Sequence, residues 1–440
     1  MATVGSAVGL GTIWRFPSEA QAGGGSAFLI VYILCVLVLG IPVMLSEFAV
    51  GRAGRSDAVG SYKKLSPGSS WYIVGGAGIF TSFLICVFYM VVAGWTLEYL
   101  FHSITGGLFA GIGESDTAMV EGFGQKMQEY ITTDIEPLIS TCGVILINIA
   151  ILLGGVKKGI ERMANIAMPL LFVLLLVFMC VVMTLPGSSA GISYFLSPDF
   201  SKITPSVFIS ALGQALFSLS LGMGILVTYA AYYPSSTNLT KTSCIVSSLT
   251  LMIAIMMGLI IFPAVTAFGI ADHSMAGTTL VFVTLPEVFA NLPGSQLWSI
   301  LFFTLLFLAA LTSTVSIAEP AIAYIRDRYH ASRRKATLTV LLPMFVLSSV
   351  CALSFGSLRT LTFAQMNIFE CLDALTNNVL LPLVAIGGCV YVGWFAPHGL
   401  LHEQLTNGGS IRSRLTSVIT FLLRYIAPPA ILAIMIAGFI

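Results

Sequence analysis

Ser218-Leu219-Ser220-Leu221-Gly222-Met223-Gly224 interrupts an apolar run that extends from about 205 to 233. In a helix surrounded by hydrocarbon, such a Ser/Gly-rich stretch frees backbone N–H and C=O groups. Each costs several kcal/mol if it stays unpaired, so the stretch survives only where those groups bind something. A second interruption, Ser6-Ala7-Val8-Gly9-Leu10-Gly11, lies in the first apolar run. Each interruption heads a block of five apolar runs. An odd number per block brings the second block in from the opposite side of a membrane. The pattern therefore predicts an inverted repeat with a binding site near the midplane, where the two breaks meet. Half-helix N-termini suit a carboxylate, and freed carbonyls suit a hard cation such as Na⁺. The alternative is a pair of glycine kinks filled by neighbouring helices.

Composition supports the membrane reading. The 440 residues are 57% hydrophobic and 9% charged, against about 25% charged in soluble domains. Eleven spans are predicted, at roughly 1–22, 27–50, 75–103, 137–155, 164–186, 205–233, 241–268, 296–325, 336–355, 364–395 and 413–438. The expected fold is an all-α polytopic membrane protein. It comprises a first five-helix repeat over 1–203, an inverted second repeat over 204–395, and a loop with an eleventh span over 396–440. The loops after even-numbered spans hold Arg52, Arg55, Lys63, Lys64, Lys157, Lys158, Arg162, Lys241, Arg326, Arg328, Arg333, Arg334, Lys335, Arg412 and Arg414, fifteen of the twenty Lys and Arg. The positive-inside rule then places the chain in a cell membrane with a cytoplasmic N-terminus and an extracytoplasmic C-terminus. The longest opposite loop, 104–136, carries Glu114, Asp116, Glu121, Glu129, Asp134 and Glu136 and is expected to be a solvated face.

A net charge of +1 excludes a nucleic-acid reader on electrostatic grounds. The eight cysteines contain no CxxC pair and sit mostly in apolar runs, so they read as small core hydrophobes. No basic region precedes the first apolar run, and no cleavable leader is expected.

Polar residues inside the spans are costly and point to function. Thr312 and Ser313 are adjacent hydroxyls in the eighth span. They either bond back to carbonyls of their own helix or, beside freed carbonyls, form an oxygen cage for Na⁺. Arg15, Glu19, Glu47, Glu319 and Asp373 each need a partner or a water-filled path. Arg15 lies one turn beyond the first break and Asp373 near the outer end of the tenth span, so an Arg15–Asp373 gate above the site is expected. His398 and His402 beside Glu403 have i, i+4 spacing but no further ligands, and no metal site is expected there.

At this point a family resemblance is visible. Gly5-Ser6-Ala7-Val8-Gly9-Leu10-Gly11, Trp14-Arg15-Phe16-Pro17 and Gly23-Gly24-Gly25 resemble the first helix of neurotransmitter:sodium symporters. So do Ile41-Pro42 with Glu47 and Gly51-Arg52, Gln214 with Phe217 to Gly222, and Leu311-Thr312-Ser313. The resemblance runs through the whole chain in order, and eleven spans look like the shorter bacterial members. It implies a sodium-coupled importer of neutral, hydrophobic or aromatic L-amino acids working by alternating access, and no enzyme. An amino-acid sensor or non-transporting binding protein on the same scaffold is the alternative.

Carried over by position, the resemblance implies one sodium site at the carbonyls of Gly5, Val8 and Ala309 with the hydroxyls of Thr312 and Ser313. It implies a second at Ala7, Thr12, Ser218, Thr250 and the substrate carboxylate. The chain departs from the family at the second. Thr12 stands where Asn is usual and Thr250 where Asn or Asp is usual, which weakens that site. The span 7 acid of many chloride-independent bacterial members is replaced near Ala254, and chloride is not an expected partner ion. The implied substrate pocket is Ser6, Ala7, Leu10, Gly11, Ile85, Tyr89, Phe217, Ser220, Met223, Ser313 and Ile317. Tyr89 would donate to the substrate carboxylate, and Phe217 would join Arg15 and Asp373 as a lid. Monoamine members carry Asp where Gly9 stands, so Gly9 implies a substrate that brings its own carboxylate. Family members also have about three more turns before the first break. Met1 to Gly5 supplies only ~7 Å of helix against ~15 Å for half a bilayer. Met1 is therefore expected to be an internal methionine, and a chain truly starting there is expected to fail in inward closure.

Overall fold

The computed structural model describes residues 2–113, 116–269, 277–411 and 415–437. Met1, Glu114, Arg412 and Arg414 lie outside the described residues, as do the side chains of Asp116 and Lys157. Among the described residues the fold is helical, apart from one isolated bridge between Phe363 and Met366. Among the described residues, nine helices are long and apolar enough to cross a membrane: Ser26–Gly54, Tyr72–Thr105, Ile135–Leu153, Lys158–Met183, Leu239–Ala267, Ser295–Tyr329, Arg333–Leu353, Ile368–Phe395 and Thr416–Ala437. They correspond to spans 2–5 and 7–11. Spans 1 and 6 are the two that fail as continuous helices. Span 1 is Ala2–Ala7, a break, a wide turn at Gly11–Arg15, and Phe16–Ala22. Span 6 is Pro205–Ser218, a break, and Ile225–Ala230.

Side-chain caps start three of the spans. The Asn238 side chain accepts from Lys241 N–H at 2.9 Å at the head of span 7. Ser332 accepts from Lys335 N–H at 3.3 Å at the head of span 9. Asn367 and Glu370 form a capping box for span 10. These caps satisfy N–H groups that the first helical turn leaves orphaned.

Spans 3 and 8 are the two longest helices and pack along each other at the centre. Cys86 Sγ reaches Thr314 O at 3.7 Å, and Ser82 Oγ donates to Ile317 O. The broken first span lies against span 8. Ile139, Ile166, Val346 and Phe421 on the outer spans 4, 5, 9 and 11 are each more than half exposed, the pattern of a lipid-facing belt.

The segment 104–136 is more ordered than a solvated loop. It contains a helix, Asp116–Thr132, with Met119, Phe123, Met127 and Tyr130 buried, while Glu121, Glu129, Asp134 and Glu136 are exposed. The buried residues recur at helical spacing, so one face packs and the acidic face meets water.

Candidate functional site

The two breaks touch. Ser220 Oγ donates to Ser6 O at 2.9 Å, joining span 6 to span 1 directly. Ser220 has φ 55°, Gly222 φ 76° and Gly224 φ 68°. These left-handed residues turn the chain out of the helix, and the Ser220 bond offsets part of the strain of a non-glycine residue there. Gly222 admits no side chain, because a Cβ would lie 2.6 Å from Leu381 O. The freed Gly222 N–H donates to Glu47 Oε1 at 2.7 Å. Glu47 is buried in span 2, so the intramembrane acid has a backbone partner at the break.

Glu47→Ala removes that acceptor and leaves Gly222 N–H orphaned in the interior. A loss of about 1–3 kcal/mol is expected. Glu47→Gln keeps an acceptor oxygen and should retain most of the stability. Thermal melting of both variants in detergent checks this, and an equal loss in the two would remove the acceptor role.

Around the breaks lies a small cavity lined by Ser6, Ala7, Gly9, Gly11, Thr12, Ile85, Tyr89, Phe217, Ser218, Ser220, Met223, Ser313 and Ile317. No lining residue is charged. The structure thus brings together ten of the eleven pocket residues expected from sequence. Leu10 is the exception: its side chain is buried away from the cavity, while its N–H donates to Tyr89 OH at 2.8 Å. The Tyr89 oxygen is the acceptor in that bond, so its own hydrogen is directed to another group. The cavity volume is about 20 Å³, against the roughly 10–15 Å³ that one water requires. Entry of a larger molecule requires the walls to part.

Phe217 is the half-buried wall on the side of Arg15, whose guanidinium carbon lies 5.2 Å from the ring centroid. The expected Arg15–Asp373 pair is not formed in this structure. Arg15 Nε lies 3.5 Å from Glu19 Oε1, one turn along its own helix, and Asp373 accepts from Asn377 Nδ2 at 2.7 Å. Each charge has taken a local i, i+4 partner.

The oxygen-bearing residues expected around the cavity make the following bonds. Thr312 Oγ1 donates to Ala309 O at 3.0 Å, and a Cβ at Gly5 would lie 3.6 Å from Thr312 Cβ. Val8 N–H donates to Val4 O at 2.9 Å. Thr12 Oγ1 donates to Ala7 O at 3.2 Å, and Thr250 Oγ1 to Val246 O at 2.9 Å. Ser218 Oγ and Tyr32 OH are 2.8 Å apart. A hydroxyl that donates its hydrogen to a carbonyl keeps its lone pairs, so these bonds leave the threonine oxygens able to face a hard cation. Gln214 Nε2 donates to Gly11 O at 2.8 Å, and its Oε1 is buried without a partner among the described residues. Tyr32 was not singled out from sequence, where one polar tip in an apolar run gives no signal. Gln214 and Glu47 were visible as polar residues, but their bonds to Gly11 and Gly222 were not.

The chain is similar to known proteins over nearly its whole length. The model of the sodium:neurotransmitter symporter family matches residues 1–116 and 120–440. An uncharacterized sodium-dependent transporter of Bacillus subtilis is 33% identical over 438 residues, covering 99% of this chain and 94% of that protein. The sodium-dependent serotonin transporter of Drosophila melanogaster is 28% identical over 432 residues, covering 90% and 68% respectively. The crystal structure of MhsT in complex with L-phenylalanine superposes with a TM-score of 0.89 at 39% identity, covering 100% of this chain and 97% of that one. The chain is a multi-pass membrane protein of the sodium:neurotransmitter symporter family.

Proposed function

We propose that the protein carries neutral, hydrophobic or aromatic L-amino acids across the membrane together with Na⁺. The observation that carries this reading is the cavity at the two breaks, which has no charged side chain in its walls. The two charges of an amino acid must then be met by backbone dipoles, by hydroxyls and by the co-transported ion. The Tyr89 hydroxyl, an acceptor from Leu10 N–H with its own hydrogen still to donate, suits the substrate carboxylate. Ile85, Met223, Ile317 and the Phe217 ring suit an apolar side chain, and Met223 adapts to several shapes. The phenylalanine bound in MhsT supports the same substrate class.

In this reading Na⁺ occupies Gly5, Val8, Ala309, Thr312 and Ser313. The set of Ala7, Thr12, Ser218 and Thr250 is the weaker second site. The repeats divide at 203 and 395, and the N-terminus faces the cytoplasm. With substrate and Na⁺ bound, Arg15 exchanges Glu19 for Asp373 above Phe217 and shuts the outer path. Spans 1 and 6 then rock to open the other side.

Uptake of labelled leucine or phenylalanine into proteoliposomes should collapse when Na⁺ is replaced by K⁺. Substrate binding with no uptake in either salt would instead make the protein a sensor. Thr312→Val keeps the shape and removes one ligand oxygen. Losing a contact to a charged group costs about 1.5–3 kcal/mol, so half-maximal uptake should require at least about tenfold more Na⁺. A sodium titration of uptake checks this, and an unchanged midpoint would remove Thr312 from the ion site.

A further inference from the structure

We propose that the groove at the turn between spans 4 and 5 holds one anionic phospholipid. The chain reverses at Gly154-Gly155, with φ 72° at Gly155, and enters span 5 through a wide turn, Val156–Glu161. Lys158 and Arg162 are exposed and one helical turn apart. Neither enters an ion pair among the described residues, and Glu161 on the same turn pairs with neither. Beside them opens a groove of about 350 Å³. Small residues, Ala150, Gly154 and Ala167, keep it concave, and Ile166 and Leu170 form an apolar wall. Ile166 is 64% exposed and Leu170 43%.

Two chemistries therefore meet at one membrane face. Two exposed cations attract a phosphate, and an apolar channel running one to two turns along span 5 accepts an acyl chain. A neutral lipid has no use for the cations, and a free phosphate none for the wall. A diacyl lipid with a singly charged phosphate headgroup, such as phosphatidylglycerol, satisfies both. The groove shares no lining residue with the cavity at the breaks, so the proposal stands whatever the transported molecule is.

Native mass spectrometry of the full chain in detergent, with phosphatidylglycerol or phosphatidylcholine of identical acyl chains, tests the proposal. One phosphatidylglycerol should be retained, on the order of tenfold more tightly than phosphatidylcholine. The preference should vanish in K158Q/R162Q. It should also vanish in A150F, which fills the groove and keeps both charges. Glycerol phosphate alone should not displace the lipid. Equal retention of the two lipids, or unchanged retention in K158Q/R162Q, overturns the proposal. A preference that survives A150F reduces it to diffuse surface charge, and displacement by glycerol phosphate makes the ligand a free anion; either overturns it. Should K158Q/R162Q fail to fold by size exclusion, A150F decides alone.

Discussion

Under the function proposed above, Gly9→Ala is expected to reduce sodium-driven amino-acid uptake by about ten- to a hundredfold, through the single methyl group it adds. Gly9 sits in the break of span 1, between Val8 and Leu10. A Cβ built on it meets Ser313 Oγ, lies 3.1 Å from Ser313 Cβ and 2.8 Å from Tyr89 OH. Those groups come from spans 8 and 3, the central pair of the fold. The serine hydroxyl can rotate away, but the serine Cβ cannot. The tyrosine is a rigid ring whose oxygen accepts from Leu10 N–H at 2.8 Å. Moving it orphans that N–H and re-aims the hydroxyl assigned to the carboxylate. Overpacking of this kind costs about 1–3 kcal/mol, and every 1.4 kcal/mol is tenfold. The loss should appear both in uptake and in the thermal shift that substrate produces. Ser313→Gly placed in the Gly9→Ala background relieves one of the two clashes, and recovery is expected in the melting temperature and not in uptake, because it also removes the Ser313 hydroxyl proposed for the ion site. Wild-type uptake by Gly9→Ala would mean that substrate does not bind at the breaks.

The sequence made the frame of this fold visible and hid its fastenings. A span is legible because hydrocarbon demands about twenty apolar residues in a row. The span expected at 241–268 accordingly appears as Leu239–Ala267. A break is legible because Ser and Gly have no other reason to cluster there. The wide helical turns at Gly11–Arg15 and Val36–Gly40 were not foreseen, since one extra residue in a turn leaves composition unchanged. The helix at Asp116–Thr132 was missed for a different reason: its net acidity outweighed the helical spacing of Met119, Phe123, Met127 and Tyr130. Partner choice is the least legible feature. Arg15 had Glu19 within one turn and Asp373 far along the chain, and only the arrangement of the helices decides between them. Glu47 needed Gly222, 175 residues away, and no local pattern points there.

Glu319 poses the same problem of partner choice, and it carries the largest expected effect on stability. The sequence marks it as a charge inside span 8 that needs a partner, and marks Arg333 as one cation of a basic loop. The structure joins them. Arg333 Nη1 and Nη2 donate to the two oxygens of Glu319 at 2.7 and 2.6 Å, and Nε donates to Leu152 O at 2.8 Å. The Glu319 side chain is 0% exposed and that of Arg333 17%. One guanidinium therefore ties the interior of span 8 to the start of span 9 and the end of span 4. Arg333→Ala leaves a carboxylate buried with no counter-ion, and a loss of about 3–5 kcal/mol is expected. Arg333→Lys should recover only part, because a point charge cannot serve both oxygens and the Leu152 carbonyl at once. The decisive comparison is the double variant Glu319→Gln with Arg333→Met. It removes both charges, and removing a buried pair together costs far less than removing one member. Melting of the purified variants in detergent should therefore rank the double variant above Arg333→Ala, although it carries one more substitution. If the double variant melts as low as the single one, the pair contributes through its shape alone, and the orphaned charge is not what destabilises Arg333→Ala.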